Sequence, residues 1–285
     1  MDYPVLLDAA ISHLEELKDQ GVRFVDVKPE TMTSLDKAPV RHRPAPANSR
    51  PAPVDIPRSE VRANETAAEI SIPSPVTNKE QAMAELRERA LQCVKCEHLV
   101  QSRKNVVFGV GTVHAELMFV GEAPGMDEDA QGEPFVGKAG QLLTKIIETM
   151  GLSREKVYIA NILKCRPDTP EQQSGNRKPT PVEMTTCLPY VAAQVGIIQP
   201  KVIVCLGATA VEGLFGRDKV GITRQRGNWM SYRDIPVMPT FHPSYLLHRE
   251  GALQEKRKVW EDMLAVMERL GMAISDKHRG YFLKK

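Results

Sequence analysis

Four short apolar runs, separated by segments of helical periodicity, constrain the fold of this 285-residue chain more than any other feature. They are Leu117–Val120, Val157–Asn161, Lys201–Gly207 and Ile235–Thr240. Runs of this length are typical of buried strands, and strands that alternate with helices form a parallel sheet covered on both faces. The sequence therefore predicts an α/β fold with a central, mostly parallel four-stranded sheet.

Three of these strands end on polar side chains, at Glu122, Asn161 and His242. In an open parallel sheet the carboxyl ends of the strands share one edge, and ligands bind there. The turn after the first strand adds a run of acids and an aromatic, Phe135, which we expect to be exposed. The pattern predicts a site for a flat, polar ligand. An ordinary strand–helix turn with solvated acids is the competing interpretation.

Composition excludes some classes of protein and leaves others open. Hydrophobic residues make up 42% of the chain, enough for a sizeable core, and the formal net charge is only +2. Such a balance neither requires nor excludes a nucleic-acid partner. No apolar run approaches the ~20 residues of a membrane span, and the N-terminus lacks the basic region of a secretory signal. We therefore expect a cytoplasmic protein with no membrane partner.

Composition and periodicity divide the chain into four parts. Residues 1–22 carry apolar residues at helical spacing and predict an amphipathic helix that docks on the domain or on a partner protein. Residues 23–76 are rich in Pro and Arg and predict a disordered linker. Residues 77–272 carry the strands and helices of the folded domain. Residues 273–285 form a C-terminal tail.

The cysteines predict a metal site. Cys93 and Cys96 form a C-x2-C pair, and Cys165 and Cys187 lie far downstream. Cys205 falls inside an apolar strand, where a thiol behaves as a small buried hydrophobe. Four thiolates suit either zinc or an iron–sulfur cluster, and the spacing does not choose between them. A redox pair or a chance C-x2-C remains possible from the sequence alone.

Five motifs resemble those of the family-4 uracil-DNA glycosylases, which are iron–sulfur enzymes. They are GEAPG at 121–125, GEPFVGKAGQLL at 132–143, NILKCRP at 161–167, KVIVCLG at 201–207 and HPSYLL at 242–247. The resemblance covers about residues 80–271. It implies a three-layer α/β/α sandwich and a monomeric enzyme that hydrolyses the N-glycosidic bond of deoxyuridine in DNA. It also implies a [4Fe-4S] cluster on the four cysteines other than Cys205.

The resemblance assigns roles around the base. Gly121 and Phe135 would contact uracil, with Phe135 as its flat apolar face. Asn161 would distinguish uracil from cytosine, because an amide presents both a donor and an acceptor. His242 would donate to uracil O2 as negative charge develops there.

Two carboxylates are assigned less directly. Family-1 enzymes carry an aspartate where this chain has Ala123. Glu122 or Glu128 would then aid water or the cationic sugar, and the segment near Glu128 would exclude the methyl group of thymine.

The motif at 242–247 also implies contact with DNA. The expected partner is uracil-containing DNA, either single- or double-stranded. Ser244, Leu246 or Leu247, and Arg249 would contact the duplex, with one leucine filling the gap left by the flipped base. Both leucines could equally belong to the core.

Two other classes of protein compete with the enzyme. One is a DNA-binding iron–sulfur module that has lost catalysis and works as a sensor or as a polymerase accessory. The other is a zinc-stabilised α/β domain that binds a small molecule. Relatives that crosslink covalently to abasic DNA carry a Lys/Arg-rich insert, which this sequence lacks. The resemblance therefore implies an enzyme that turns over rather than one that remains bound to its product.

Overall fold

The structure, a computed structural model, describes residues 78–167, 177–216, 221–247 and 253–283. The predicted N-terminal helix and linker lie outside these ranges. The helices are α1 Lys79–Leu91, α2 Glu97–Ser102, α3 Met126–Gln131, α4 Lys138–Thr149, α5 Pro181–Ile198, α6 Ala208–Phe215, α7 Ile222–Gln225, α8 Pro243–Leu247, α9 Leu253–Arg269 and α10 Asp276–Gly280. The strands are β1 Val110–Gly111, β2 Leu117–Gly121, β3 Tyr158–Asn161, β4 Val202–Leu206, β5 Met230–Tyr232 and β6 Ile235–Thr240.

The sheet has the strand order β1-β3-β2-β4-β6-β5. Its four central strands are mutually parallel and coincide with the four predicted apolar runs. The prediction of four strands was two short, because β1 and β5 add antiparallel edges of two and three residues. The segment 221–231, between α6 and β6, contains α7 and the start of β5.

Helices cover both faces of the sheet, which confirms the three-layer prediction. Alternate residues of a strand point to opposite faces. Met118 and Val120 pack in one core with α1, α5 and α6, whereas Leu117 and Phe119 pack in the other with α4 and α9. Both faces of β2 are buried, so it reads as a continuous apolar run.

Local signals fix the start of the longest helix. Pro181 occupies the first turn of α5. The Thr180 hydroxyl accepts the Glu183 N–H at 3.2 Å, and the Glu183 carboxylate accepts the Thr180 N–H at 2.7 Å. These two bonds form a capping box, which satisfies two donors that the first turn leaves free.

The C-terminal residues contact the domain. The Trp260 indole N–H donates to the His278 carbonyl at 2.6 Å, and Arg257 donates to the carbonyls of Arg279 and Tyr281. Residues 276–283, assigned from the sequence to a tail, thus include α10 and lie against α9. None of the described helices combines the length and the apolar composition required to cross a bilayer.

Candidate active site

A cavity of about 400 Å³ lies at the carboxyl edge of the central strands. Parallel pairing places Gly121 beside Asn161 and Leu206 beside Thr240, so the chain segments that leave all four strands surround one space. Its lining includes Glu122, Glu128, Phe135, Asn161, Arg177, His242 and Ser244. The three polar strand ends singled out in the sequence therefore meet in one cavity, within the size range of small-molecule sites.

Asn161 offers an unused hydrogen-bond acceptor to this cavity. Asn161 is 2% exposed, and its Oδ1 is a buried polar atom that has no hydrogen-bond partner among the described residues. An unpaired buried acceptor costs about 1–3 kcal/mol, which a ligand with a matching donor would recover. The Asn161 backbone carbonyl accepts the buried Lys164 ammonium at 2.9 Å, so the end of β3 is held from behind.

Gly121 leaves the room that this arrangement needs. A Cβ placed on it would lie 2.4 Å from Asn161 Oδ1 and 2.5 Å from Phe135 Cζ. Real carbon atoms do not approach so closely, so no larger residue fits here without moving the amide or the ring. Gly121 thus sets the spacing between the two groups that the sequence assigned to the base.

Phe135 is buried, with 6% of its surface exposed, which corrects the expectation of an exposed aromatic. Its ring lies 5.6 Å from that of His242 and tilts by 32°. Its φ is 55°, in the left-handed region that bulky residues avoid. Such a conformation costs about 1–3 kcal/mol and persists only where the surroundings enforce it.

Glu128 supplies part of that enforcement. Its Oε1 accepts the N–H groups of Val136 and Gly137, both at 2.9 Å, and its Oε2 accepts the Gly125 N–H at 3.0 Å. The carboxylate therefore ties the start of α3 to the turn that carries Phe135. These three backbone N–H groups occupy both oxygens of Glu128. Glu122 also lines the cavity, and no backbone N–H of the described residues is seen to donate to its carboxylate.

His242 is positioned as a neutral donor. The Ser244 N–H donates to its Nδ1 at 3.2 Å, which places the ring proton on Nε2. Burial lowers the pKa of His242 to about 4, and the nearby Glu128 opposes this shift only partly. Gly207 lies against the histidine. Its φ is 92°, and a Cβ placed on it would lie 3.0 Å from His242 Cβ. The imidazole is therefore uncharged and fixed at neutral pH.

A second cavity holds the cysteines. Cys93, Cys96, Cys165 and Cys187 all line it, whereas Cys205 is fully buried in β4. Within the described parts of the chain, no three His, Cys, Asp or Glu side chains lie close enough to bind a single ion. Four cysteine side chains around one cavity match the number of ligands in the four-cysteine site predicted from the sequence.

Hydrogen-bond donors surround these sulfurs. Arg103 Nη1 donates to Cys165 Sγ at 3.0 Å, and the Lys164 N–H donates to Cys187 Sγ at 3.2 Å. Burial raises the pKa of the Cys187 thiol to about 12 and also raises that of Cys165, against the opposing effect of Arg103. The thiols need a bound cationic group to become thiolates, and the donors suit the charge that would then develop.

Comparison with known proteins decides the family. The sequence model of the uracil DNA glycosylase superfamily matches residues 108–264, more than half of the chain. A type-4 uracil-DNA glycosylase of Thermotoga maritima is 46% identical over 189 residues, which cover 65% of this chain and 93% of that protein. The chain belongs to the type-4 uracil-DNA glycosylase family. Similar proteins of Sulfurisphaera tokodaii and Archaeoglobus fulgidus, which carry the same name, are 40% and 41% identical over 71% and 61% of this chain and 90% and 88% of theirs.

The residues that sequence reasoning assigned to DNA contact occupy different environments in the structure. Leu246 is 5% exposed and packs with Phe241 and Val259, whereas Leu247 is 45% exposed. Leu247 is therefore the more accessible of the two leucines considered. Ser244 lies at the cavity beside His242, and Arg249 falls outside the described residues.

Several positioning residues carry no signal in the sequence. Arg154 donates to the carbonyls of Pro134 and Phe135, 20 and 19 residues earlier in the chain. Arg177 donates to both oxygens of Glu183 at 2.9 and 2.5 Å. Although burial opposes it, these bonds and those from His98 and Thr180 lower the pKa of Glu183 to about 2. These pairings depend on tertiary contacts that no local pattern reports.

Proposed function

We propose that this chain hydrolyses the N-glycosidic bond of deoxyuridine in DNA, releasing uracil and leaving an abasic site as the first step of base excision repair. The observation that carries the proposal is the buried, unpartnered Oδ1 of Asn161 in a cavity that also holds Phe135 and His242. The names of the type-4 relatives agree with this activity.

Recognition of uracil follows from the donors and acceptors of Asn161. Its Oδ1 accepts the uracil N3–H, and its amide N–H donates to uracil O4. Cytosine has no proton at N3 and presents an amino group at position 4, so both bonds fail. The base reaches this buried amide only after it leaves the helix stack, and the Phe135 ring then offers it an apolar face.

Departure of the base is assisted by His242. As the bond between C1′ and N1 breaks, its electron pair passes to uracil and negative charge accumulates on O2. A neutral imidazole that carries its proton on Nε2 donates to this oxygen and needs no charge of its own. Water then adds to C1′ and loses a proton. The Glu122 carboxylate, which lines the cavity, stabilises the cationic sugar or orients that water.

Glu128 acts differently from the sequence-based assignment. With three backbone N–H groups bound, it holds the turn that carries Phe135. We assign the water-orienting role to Glu122 for this reason. Glu128 contributes by fixing the cavity wall, including the part that would meet the methyl group of thymine.

Cys93, Cys96, Cys165 and Cys187 would hold the [4Fe-4S] cluster. The cluster would serve as a cross-link between the segment around α2 and the segment that follows β3. Arg103 and the Lys164 N–H donate to two of these sulfurs and would offset the negative charge of the thiolates. Cys165 follows Lys164 in the chain, and the Lys164 N–H donates to Cys187. Because the Lys164 ammonium contacts the Asn161 carbonyl, these two cysteines would hold the group beside the segment that carries Asn161.

Contact with DNA would involve the helix α8 that follows His242. Leu247 is exposed there and suits insertion into the gap left by the flipped base, with Ser244 and Arg249 on the flanking backbone. Residues 1–22 would bind a replication or repair protein, and residues 23–76 would link them to a monomeric catalytic domain. Deletion of residues 1–76 then leaves excision from oligonucleotides unchanged. A cytoplasmic location stays a prediction.

A glycosylase assay tests the proposed function. Oligonucleotides that carry one uracil, in single strands or opposite A or G, are incubated with protein of known iron content, and alkali then cleaves abasic sites. We expect cleavage that depends on uracil and falls ~10²–10³-fold in His242→Ala. His114→Ala is the matched control, because His114 is exposed and bonds to Glu80 on α1. No cleavage by iron-loaded protein would favour a binding module instead.

A further inference from the structure

We propose that Arg154 is a positioning residue that holds Phe135 in its base-stacking orientation; the inference rests on the proposed function. Arg154 lies in a short 3-10 turn, Arg154–Lys156, just before β3 and outside the cavity lining. Its importance follows from what its guanidinium contacts.

The guanidinium binds the strained turn directly. Nη2 donates to the Pro134 carbonyl at 2.8 Å, and Nη1 donates to the Phe135 carbonyl at 3.1 Å. Nη1 also reaches the Thr144 hydroxyl on α4 at 3.3 Å. A planar fork that binds two successive carbonyls fixes the direction of the peptide between them, which a single-point donor cannot do. That peptide precedes the residue whose φ is 55°.

The other side of the turn is held independently. Glu128 accepts the two N–H groups that follow Phe135, and Gly140 packs against the Phe135 carbonyl so closely that a Cβ there would lie 1.9 Å from the oxygen. Arg154 therefore supplies the carbonyl half of a clamp, and Glu128 supplies the amide half. Without the carbonyl half, the left-handed conformation loses the contacts that offset its strain.

The consequence concerns the ring. Rotation of the Phe135 backbone out of the left-handed region swings the side chain away from His242 and out of the position where a base would stack. A displacement of about 1 Å at a reacting group can cost ~10²-fold in rate. Arg154 thus acts on the reaction only through Phe135, and this dependence is measurable.

A double-mutant cycle tests the coupling. We expect Arg154→Met to lower single-turnover excision by ~10-fold or more and Phe135→Ala by ~10- to 100-fold. The double variant should match Phe135→Ala within ~3-fold, because the arginine has nothing left to position. The matched control is Arg257→Met, which also removes two bonds from one guanidinium to backbone carbonyls, but in the C-terminal residues. It should excise at the wild-type rate.

Two further arms keep the test decisive. Arg154→Lys retains the charge without the fork and should fall between wild type and Arg154→Met, which guards against a variant that merely unfolds. A crystal structure of Arg154→Met reads the φ of Phe135 whatever the activity. Losses that multiply in the double variant, or a φ that stays near 55°, would overturn the proposal. Uracil release by wild type, measured in parallel, tests the proposed function separately.

Discussion

Adding one methyl group at Gly121 should disable the cavity while leaving the fold intact. The new Cβ would lie 2.4 Å from Asn161 Oδ1 and 2.5 Å from Phe135 Cζ, whereas ordinary contacts begin at 3.4 Å. Both groups must therefore move by about 1 Å. A shift of that size costs ~10²-fold in rate, or about 2.7 kcal/mol of transition-state stabilisation. Overpacking should lower the free energy of unfolding by about 1–3 kcal/mol.

The assay compares single-turnover uracil excision by Gly121→Ala with that by Gly221→Ala. Gly221 has a φ of −51°, and a Cβ there would meet no atom of the described residues within 4 Å. We expect the control to excise within ~2-fold of wild type. Urea unfolding of both variants separates loss of fold from loss of geometry. If Gly121→Ala kept its excision rate within ~3-fold of wild type, the inference that Asn161 and Phe135 contact the base would be refuted.

Three further variants or titrations probe the other parts of the site. Glu128→Ala frees three backbone N–H groups, so urea denaturation should show a loss of about 1–3 kcal/mol in unfolding free energy; an unchanged midpoint would contradict its structural role. In NMR titrations the His242 ring should become protonated near pH 4, because burial lowers its pKa, and a midpoint near 6.5 would contradict that cause. The free energy of unfolding should fall as the pH drops from about 6.5 towards 4, because the unfolded chain takes up the proton first. Cys187→Ala should abolish iron and acid-labile sulfide, whereas Cys205→Ala should retain about four of each; one zinc per chain would exclude the cluster.

The sequence was sufficient for the layers of the fold because the signals for them are local. Each central strand is an apolar run that ends at a polar residue or a glycine, and each intervening helix carries one apolar face. The parallel arrangement then requires their carboxyl ends to meet. That argument alone placed Glu122, Asn161 and His242 at one edge, and the structure has all three at the same cavity.

The edge strands were missed for a physical reason. β1 has two residues and β5 has three, which is too short for a period-two pattern to emerge. Their pairing depends on neighbours that are already in place. Tyr232, for example, pairs with Ile235 across the turn that precedes β6.

The burial of Leu246 and the partners of Glu128 depend on contacts between distant elements. Leu246 and Leu247 are adjacent and chemically identical, and only the packing of α8 on Val259 separates them. Glu128 sits in an acidic run that resembles a solvated surface, yet it accepts N–H groups up to nine residues away. Arg154 likewise reaches back 20 residues to the Phe135 turn. Such roles follow from the three-dimensional path of loops, which no local pattern encodes.

The base-reading residue and the cysteine site share one short segment. Asn161 ends β3, Cys165 lines the neighbouring cavity, and Lys164 between them is fully buried, with its ammonium on the Asn161 carbonyl and on Gln194. A group bound to the cysteines therefore stabilises the segment that positions the amide.

The most direct test of the account is the identity of the released base. Iron-loaded protein is incubated with a duplex that carries one uracil, and the small molecules and the DNA are both weighed by mass spectrometry. The account predicts one free uracil for each abasic site, in an otherwise intact strand, and no base from the matching cytosine or thymine duplex. Retention of uracil in the DNA, or release of cytosine at a similar rate, would contradict the claim that Asn161 selects uracil for excision.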